Sequence, residues 1–239
     1  MDKKKLSLII PCYNESDTLP LIVDKVLALQ SLHLDIEIII VDDCSLDDSR
    51  SIAQKLASEH DEIRLLQHSI NRGKGAALRT GFLSATGDLI GIQDADMEYD
   101  PRDYLKMIQI ADEMDADVVF GSRYLQKSEK QVLRFWHSLM NKALTIFSNA
   151  LSDLALTDME TCYKMFKREV IHEIAPSLCE DRFGFEPEVT ARLAKLMRSK
   201  GLRLAECSIA YRPRTFTEGK KIGWKDGIRA LWCIFKYNL

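Results

Sequence analysis

No run of apolar residues in this sequence approaches the roughly 20 that a helix needs to cross a bilayer, so any membrane role is expected to be peripheral. A secretory leader is missing too. Met1-Asp2-Lys3-Lys4-Lys5 leads into a short apolar run that stops at Pro11, without a long apolar core or a small-residue cleavage site. The expected location is the cytoplasm, including the cytoplasmic face of a membrane. Paired cysteines are also lacking: Cys12, Cys44, Cys162, Cys179, Cys207 and Cys233 stand singly, with no CxxC and no histidine spacing that would build a zinc site. They read as reduced, mostly buried thiols. Nor does one sign of charge dominate. With 33 basic and 36 acidic side chains the net charge is −3, so nothing global draws the chain to nucleic acid. There is no internal repeat, low-complexity tract or Gly/Ser linker, and 239 residues read as one α/β domain.

What is present is an alternation of two apolar periodicities across the first half, the mark of βαβ units and a largely parallel sheet. Strands are predicted at residues 6–11, 36–42, 64–67, 89–94 and 118–121. Helices are predicted between them at 19–29, 47–59, 75–85 and 101–114. Asp17 or Thr18, Asp47 and Asp100 stand where N-caps belong, and Pro101 suits a first helical position. The second half is less regular, with helical spacing at 129–151, 186–200 and 223–237 and strand-like runs at 162–166 and 204–211. Ligands of an open parallel sheet bind beyond the carboxyl ends of its strands. Four of the first five predicted strands lead there into polar clusters: Tyr13-Asn14-Glu15, Asp42-Asp43, Asp94-Ala95-Asp96 and Gly121-Ser122-Arg123.

Asp94 and Asp96, two residues apart just after an apolar strand, can aim carboxylates at one divalent cation that bridges them to a diphosphate. Magnesium or manganese suits such an all-oxygen setting, and Glu98 could complete the ligand set. As an isolated pair they would equally suit an Asp-rich turn before a helix. Asp42 or Asp43 can accept from a nucleobase N–H, and Glu15 is placed for ribose hydroxyls; turn formation and capping are the plainer roles for these acids. Asn71-Arg72-Gly73-Lys74-Gly75-Ala76 sets flexible glycines and two cations at a helix entrance, where backbone N–H groups favour anions, although it is no P-loop.

Ile10-Pro11-Cys12-Tyr13-Asn14-Glu15, Val41-Asp42-Asp43-Cys44-Ser45, Asn71 to Ala76 and Asp94-Ala95-Asp96 together resemble the family-2 glycosyltransferases in order and spacing. Gly121-Ser122-Arg123-Tyr124 and Tyr163-Lys164-Met165-Phe166 bring the resemblance nearest to the dolichol- or polyprenyl-phosphate sugar synthases. It covers most of the chain. It implies a glycosyltransferase A fold, a Rossmann-like, mainly parallel sheet flanked by helices, with residues 1–123 as the nucleotide-sugar and metal half and 124–239 as the acceptor half. It also implies inversion at the anomeric carbon and a UDP- or GDP-sugar donor. By matching positions Glu15 and Asp43 would hold the nucleoside, with Pro11, Tyr13 and Lys74 among the substrate-binding positions. Asp94, Asp96 and Glu98 would hold metal and diphosphate, Asp96 counting also as catalytic, and Arg123 would act on the donor side. The chain departs from the group at Glu98, where Gln is frequent, and at Thr161-Cys162-Tyr163-Lys164, where Ser-Gly-Phe-Lys is common. It also lacks the membrane helices that many members add.

In the acceptor half Arg134 and Ser138 lie one turn apart in an apolar helix, with Lys142 on the same seam. They could receive a lipid phosphate, and an Arg/Ser pair at this spacing is also found in the resembling synthases, or they could belong to an ordinary amphipathic helix. Arg212, Arg214 and Lys220, with Lys221, form a basic segment like the family's loop over the donor diphosphate. The last helix, with Trp224, Ile228, Leu231, Trp232 and Phe235, is expected to pack on the domain or lie on a membrane, with a separate membrane partner protein as another route to the lipid. Asp158, Glu160, Glu186 and Glu188 are candidate bases, Asp158 first. The expected reaction is transfer to a polyprenyl phosphate. A saccharide or other hydroxyl acceptor, a non-catalytic nucleotide-sugar-binding subunit and a nucleotidyltransferase are the alternatives.

Overall fold

A computed structural model of the chain describes residues 3–125, 135–213 and 224–239. Its first half alternates β1 (Lys4–Cys12), α1 (Leu19–Leu27), β2 (Leu34–Asp42), α2 (Ser49–Glu59), β3 (Ile63–Gln67), α3 (Lys74–Ser84), β4 (Leu89–Ile92), α4 (Asp103–Glu113) and β5 (Val118–Ser122). The second half adds α5 (Phe135–Ser152), β6 (Lys164–Lys167), α6 (Arg168–Ile174), α7 (Phe185–Lys200), β7 (Leu204–Ser208) and α8 (Trp224–Asn238). Every predicted strand and helix has a counterpart. The short α6 is additional, and residues 129–134 of the predicted 129–151 helix lie outside the described residues. Pro101 sits in a turn ahead of α4 rather than at its first position. Asp100 holds that turn by accepting from the Arg102 backbone N–H at 3.0 Å.

The strands form one sheet in the order β3-β2-β1-β4-β6-β5-β7. β1 is parallel to β2 and β4, β2 to β3, and β5 to β7, while β6 runs antiparallel between β4 and β5. Ile38-Ile39-Ile40-Val41 is buried on both faces, as expected for a central parallel strand covered by helices on each side. Alternation along β1 divides the core in two. Leu6, Leu8 and Ile10 meet Leu19, Ile22 and Val26 of α1 and Tyr104 and Met107 of α4, whereas Ile9 meets Ala77, Leu78 and Phe82 of α3 in a second core completed by α6, α7 and α8.

The reversed direction of β6 matters most for the site. Because it starts where its neighbours end, the segment leading into it, with Asp158, Glu160 and Cys162, arrives at the same edge as the carboxyl ends of β1, β2, β4 and β5.

Candidate active site

Strand order reverses at β1 and β4, which leaves a crevice beyond their carboxyl ends. A cavity of about 850 Å³ opens there, with Pro11, Tyr13, Glu15, Asp43, Lys74, Asp94, Asp96, Glu98 and Arg123 in its lining. A second cavity of about 1090 Å³ adjoins it across Glu15, Asp96, Glu98, Tyr99 and Tyr211. Asp43, Lys74 and Asp94 line the first cavity and not the second, which makes the first the candidate site.

Asp42 and Asp43, neighbours in sequence, have separate tasks. Asp42 is fully buried, accepts from Arg50 Nε at 2.8 Å and from the Ser45 N–H at 3.2 Å, and so holds the turn after β2. Asp43 faces the crevice. Its Oδ1 is 2.7 Å from His68 Nδ1 and accepts from the Arg72 N–H at 2.9 Å, while Oδ2 accepts from the Gly73 N–H at 2.6 Å. One carboxylate therefore shapes the 71–73 loop, and Oδ2 keeps a lone pair for a ligand. Gly73 in that loop and Gly75 in the first turn of α3 are sterically required. Gly73 has φ +101, a Cβ there would lie 2.4 Å from the Asp181 carbonyl oxygen, and one on Gly75 would lie 2.1 Å from that of Glu180. Glu15 is tied down by its N–H to Ser49 Oγ at 2.8 Å and by Thr18 Oγ1, which donates to Oε2 at 3.0 Å.

Lys74 forms the floor. Its Nζ lies 2.7 Å from Asp94 Oδ1, 2.9 Å from Cys162 Sγ and 3.8 Å from Glu186 Oε1. Burial opposes its charge, but Asp94, the Cys162 sulfur and Glu186 outweigh burial and hold the ammonium pKa well above its ordinary value. Asp96 follows at the cavity wall and accepts from the Glu98 N–H at 3.1 Å. Among the described residues no group of three His, Cys, Asp or Glu side chains is already gathered as a metal cluster, while Asp94, Asp96 and Glu98 line one cavity. The Glu98 backbone carbonyl accepts from the Arg212 N–H at 2.7 Å, which pins the chain after β7 across the Asp94–Asp96 turn. Two carboxylates in an oxygen-rich crevice still fit Mg²⁺ or Mn²⁺, which take one or two carboxylates and complete their shell with phosphate and water.

The four candidate bases fare differently. Asp158 is fully buried and grips Arg123 in a fork, Nε at 2.7 Å and Nη2 at 2.8 Å, with the Arg123 N–H at 3.0 Å, and it is absent from the cavity lining. Glu188 is likewise bound, by Arg192 and by the N–H groups of Cys179 and Glu180. Glu160 and Glu186 line the cavity. Glu160 Oε1 is shielded from solvent without a hydrogen-bond partner among the described residues. Its burial, then the neighbouring Glu186 carboxylate, push its pKa up to about 8 against the pull of Lys164 and Arg123. Lys164 lies fully buried behind it, donating to the carbonyls of Met159 and Thr161 over the Phe120 ring, and burial lowers its pKa.

Of the expected acceptor groups, Ser138 stands half-buried on α5, while Arg134, Arg214 and Lys220 lie outside the described residues. Arg212 is exposed on the rim of the second cavity. Sequence reasoning gave no site role to Cys162, which touches Lys74 across 88 residues, or to Arg182 and Phe183 in the loop packed on Gly73 and Gly75. The Asp181-Arg182-Phe183-Gly184 turn just before a helix was the available signal.

A model described as glycosyl transferase family 2 matches residues 7–175. A dolichyl-phosphate beta-glucosyltransferase of Dictyostelium discoideum is 29% identical over 235 residues, which cover 93% of this chain and 70% of that protein. An undecaprenyl-phosphate 4-deoxy-4-formamido-L-arabinose transferase of Photorhabdus laumondii is 28% identical over 220 residues, covering 91% and 63%. Among solved structures, a glucosyl-3-phosphoglycerate synthase from Mycobacterium tuberculosis in complex with Mn²⁺, UDP and glucosyl-3-phosphoglycerate superimposes with a TM-score of 0.70 at 17% identity, covering 98% of this chain and 80% of the other. The same enzyme with Mg²⁺ and UDP gives 0.68 at 16%, covering 98% and 79%.

Proposed function

The chain belongs to glycosyltransferase family 2 and has the glycosyltransferase A fold, and from that premise we propose that it moves a sugar from a UDP- or GDP-sugar to a polyprenyl phosphate, with inversion at the anomeric carbon. What supports this is a cavity with two unlike walls. Lys74, Asp94 and Asp96 form a charged floor, and Trp136, Met140, Leu144, Ile228 and Leu231 form an apolar side opposite. A polar donor and a lipid phosphate can thus meet in one space. The names of the relatives, which specify dolichyl and undecaprenyl phosphates, point the same way.

In this reading the nucleoside lies between Pro11, Tyr13 and Glu15 on one side and Asp43 on the other, with the 71–73 loop alongside. Asp94 and Asp96 would hold Mg²⁺ or Mn²⁺, whose contribution when bound is to neutralise the diphosphate. Lys74 adds a fixed positive charge beside Asp94, where negative charge grows as the diphosphate leaves. Asp158 fixes the Arg123 guanidinium, which lies 5.2 Å from the Tyr211 ring centroid, at the edge of the donor site. An oxygen of the acceptor phosphate attacks the anomeric carbon, the bond from that carbon to the diphosphate breaks, and the electron pair leaves with the nucleoside diphosphate. A phosphate dianion gives up no proton in this step, so no base is required. Ser138 of α5, with Arg134 four residues before it in the sequence, would receive the acceptor phosphate, and Arg212, Arg214 and Lys220 would meet the donor diphosphate. The lipid would be met at the cytoplasmic membrane surface, directly or through a membrane partner protein.

A second reading rests on Glu160. A hydroxyl acceptor needs its proton removed, and Glu160 is a carboxyl in the cavity wall with an oxygen that no described residue engages. The test is sugar transfer from UDP- and GDP-sugars in detergent to a short-chain polyprenyl phosphate and, in parallel, to the free polyprenol. The lipid-phosphate reading predicts product from the phosphate alone. Equal rates on both acceptors, or transfer only to hydroxyl compounds, would overturn it in favour of the second.

A further inference from the structure

The two helices that form the apolar wall are patterned against the usual rule for a globular protein. A surface helix turns one apolar stripe inward and leaves its other face polar. In α5 the buried positions include Asn141, Thr145, Ser148 and Ser152, with Leu144 the large apolar one among them. Its large exposed apolar positions are Phe135, Trp136, Leu139, Met140 and Ile146, between 43% and 73% exposed, beside exposed Lys142, Ala143 and Ala150. The inward side thus carries four polar side chains beside Leu144, with Phe147 and Leu151 partly buried against the core, while five large apolar ones point out. α8 carries two apolar stripes. Ala230, Cys233, Ile234 and Tyr237 face the core, while Ile228, Leu231, Trp232 and Phe235 remain 39–57% exposed. The helices touch through Phe147 and Phe235, whose rings meet edge to face at 4.7 Å, so the two outer stripes form one surface. Nine large apolar side chains on neighbouring helices exceed the scattered exposure that needs no explanation.

Charge narrows the choice of what covers this surface. The whole chain is slightly acidic, yet α5 contains no Asp or Glu and α8 has only Asp226. Lys142 is exposed on α5, and Arg229 and Lys236 on α8 keep 52% and 42% of their side chains exposed while they hold Glu180. Tryptophans beside cations on an apolar face suit the boundary between lipid headgroups and acyl chains. The face is also continuous with the cavity, since Trp136, Met140, Ile228 and Leu231 belong to both. Its orientation is fixed relative to the site. Glu180 accepts from Arg229 at 2.9 Å and from Tyr237 Oη at 2.8 Å, and the next residue, Asp181, accepts through its carbonyl from the Ala76 N–H at 3.2 Å. α8 is thereby fastened to the start of α3, which carries Lys74.

We propose that the outer faces of α5 and α8 together form a docking surface for an anionic lipid bilayer and seat the chain with the mouth of its cavity against the headgroups. The proposal rests on the lipid-acceptor reading and deepens it by naming the face that meets the membrane. It is tested by co-sedimentation of the whole chain with vesicles of phosphatidylcholine alone or enriched in phosphatidylglycerol. Ile146→Glu and Trp232→Glu are the variants, because both positions are exposed and neither lines the cavity. The wild type should pellet with the anionic vesicles and bind the neutral ones more weakly. Each variant should bind anionic vesicles about tenfold more weakly or worse, with unchanged UDP binding and unfolding temperature. A wild type that stays in the supernatant with both vesicles overturns the proposal, as do variants that pellet like the wild type. Self-association that those substitutions abolish, without vesicle binding, also overturns it and makes the face an interface between copies. Vesicle binding and transfer in detergent are read separately. Docking without transfer to polyprenyl phosphate removes the acceptor reading alone, and transfer without docking removes this one alone.

Discussion

The floor of the site and its acceptor wall are built on opposite principles. On the floor nearly every charge is answered by another protein group: Asp43 by two backbone N–H groups and His68, Lys74 by Asp94, Arg123 by Asp158. On the wall, α5 and α8 turn large apolar side chains outward without cover from described residues. Pre-arranged charge serves a reaction whose leaving group gains negative charge, because fixed dipoles and ions need no reorganisation as it proceeds. An uncovered apolar face serves recognition of something apolar. Under the proposed function, donor chemistry falls to the sheet edge and acceptor contact to the helices.

The largest expected effect sharpens the floor side of this contrast. Asp96→Ala should lower turnover by about a thousandfold or more, as loss of a metal-facing carboxylate at a charge-developing centre does. Its unfolding temperature should stay close to that of the wild type, since no core volume is removed. Near-normal turnover in the folded variant would break the assignment.

Asp158→Ala should act on stability first. It leaves the Arg123 guanidinium, 6% exposed, without its partner, at a cost of about 3–5 kcal/mol in denaturant unfolding. Asp158→Asn, which keeps the volume and one acceptor, should retain more stability and the wild-type shape of the pH–rate profile. A loss of the acidic limb of that profile in Asp158→Asn would restore Asp158 as a base.

Asp43→Ala should weaken UDP or GDP binding about ten- to a hundredfold by calorimetry, because the Arg72 and Gly73 N–H groups lose their acceptor, at about 1–3 kcal/mol, and the loop loses its shape. Unchanged affinity would mean that the loop does not touch the nucleotide.

The smallest effect concerns Glu160. Its carboxyl is held protonated up to about 8 in the folded chain, against an ordinary 4.5. Between these values the folded state binds more protons than the unfolded, so this group's stabilisation is complete below about pH 4.5 and is lost as pH rises through 8. Glu160→Gln should therefore flatten the fall of unfolding temperature over that window and raise it modestly at the alkaline end. Parallel curves for variant and wild type would contradict the burial of that carboxyl.

How much of this was legible in the sequence follows from the range of each interaction. The strands around Ile10-Pro11, Val41-Asp42 and Leu89–Ile92, the glycine segment and the Asp94/Asp96 pair announce themselves through periodicity and spacing within a dozen residues, and each stands where it was predicted. Which of Asp42 and Asp43 turns to the crevice depends on Arg50 and on the N–H groups of Arg72 and Gly73, which no local pattern specifies. Residues 162–166 read as a strand, but nothing local gives β6 its antiparallel direction, which needs β4 and β5 beside it. The same holds for Asp158. As an isolated acid it resembled a base, and only the fold brings Arg123, 35 residues away, into its grip. The outward apolar stripe of α8 was visible as spacing, whereas its lack of cover was not.

The central claim is that the crevice between β1 and β4 takes a nucleoside diphosphate together with a divalent cation on Asp94 and Asp96. Calorimetric titration of UDP and of GDP into the wild type and Asp94→Ala, each with and without Mn²⁺, tests it most directly. The account predicts that at least one nucleotide binds the wild type with Mn²⁺ and at least about tenfold more weakly without it, and that Asp94→Ala loses the metal-dependent part. Equal affinity with and without metal, or an Asp94→Ala protein that keeps the full metal effect, would contradict it.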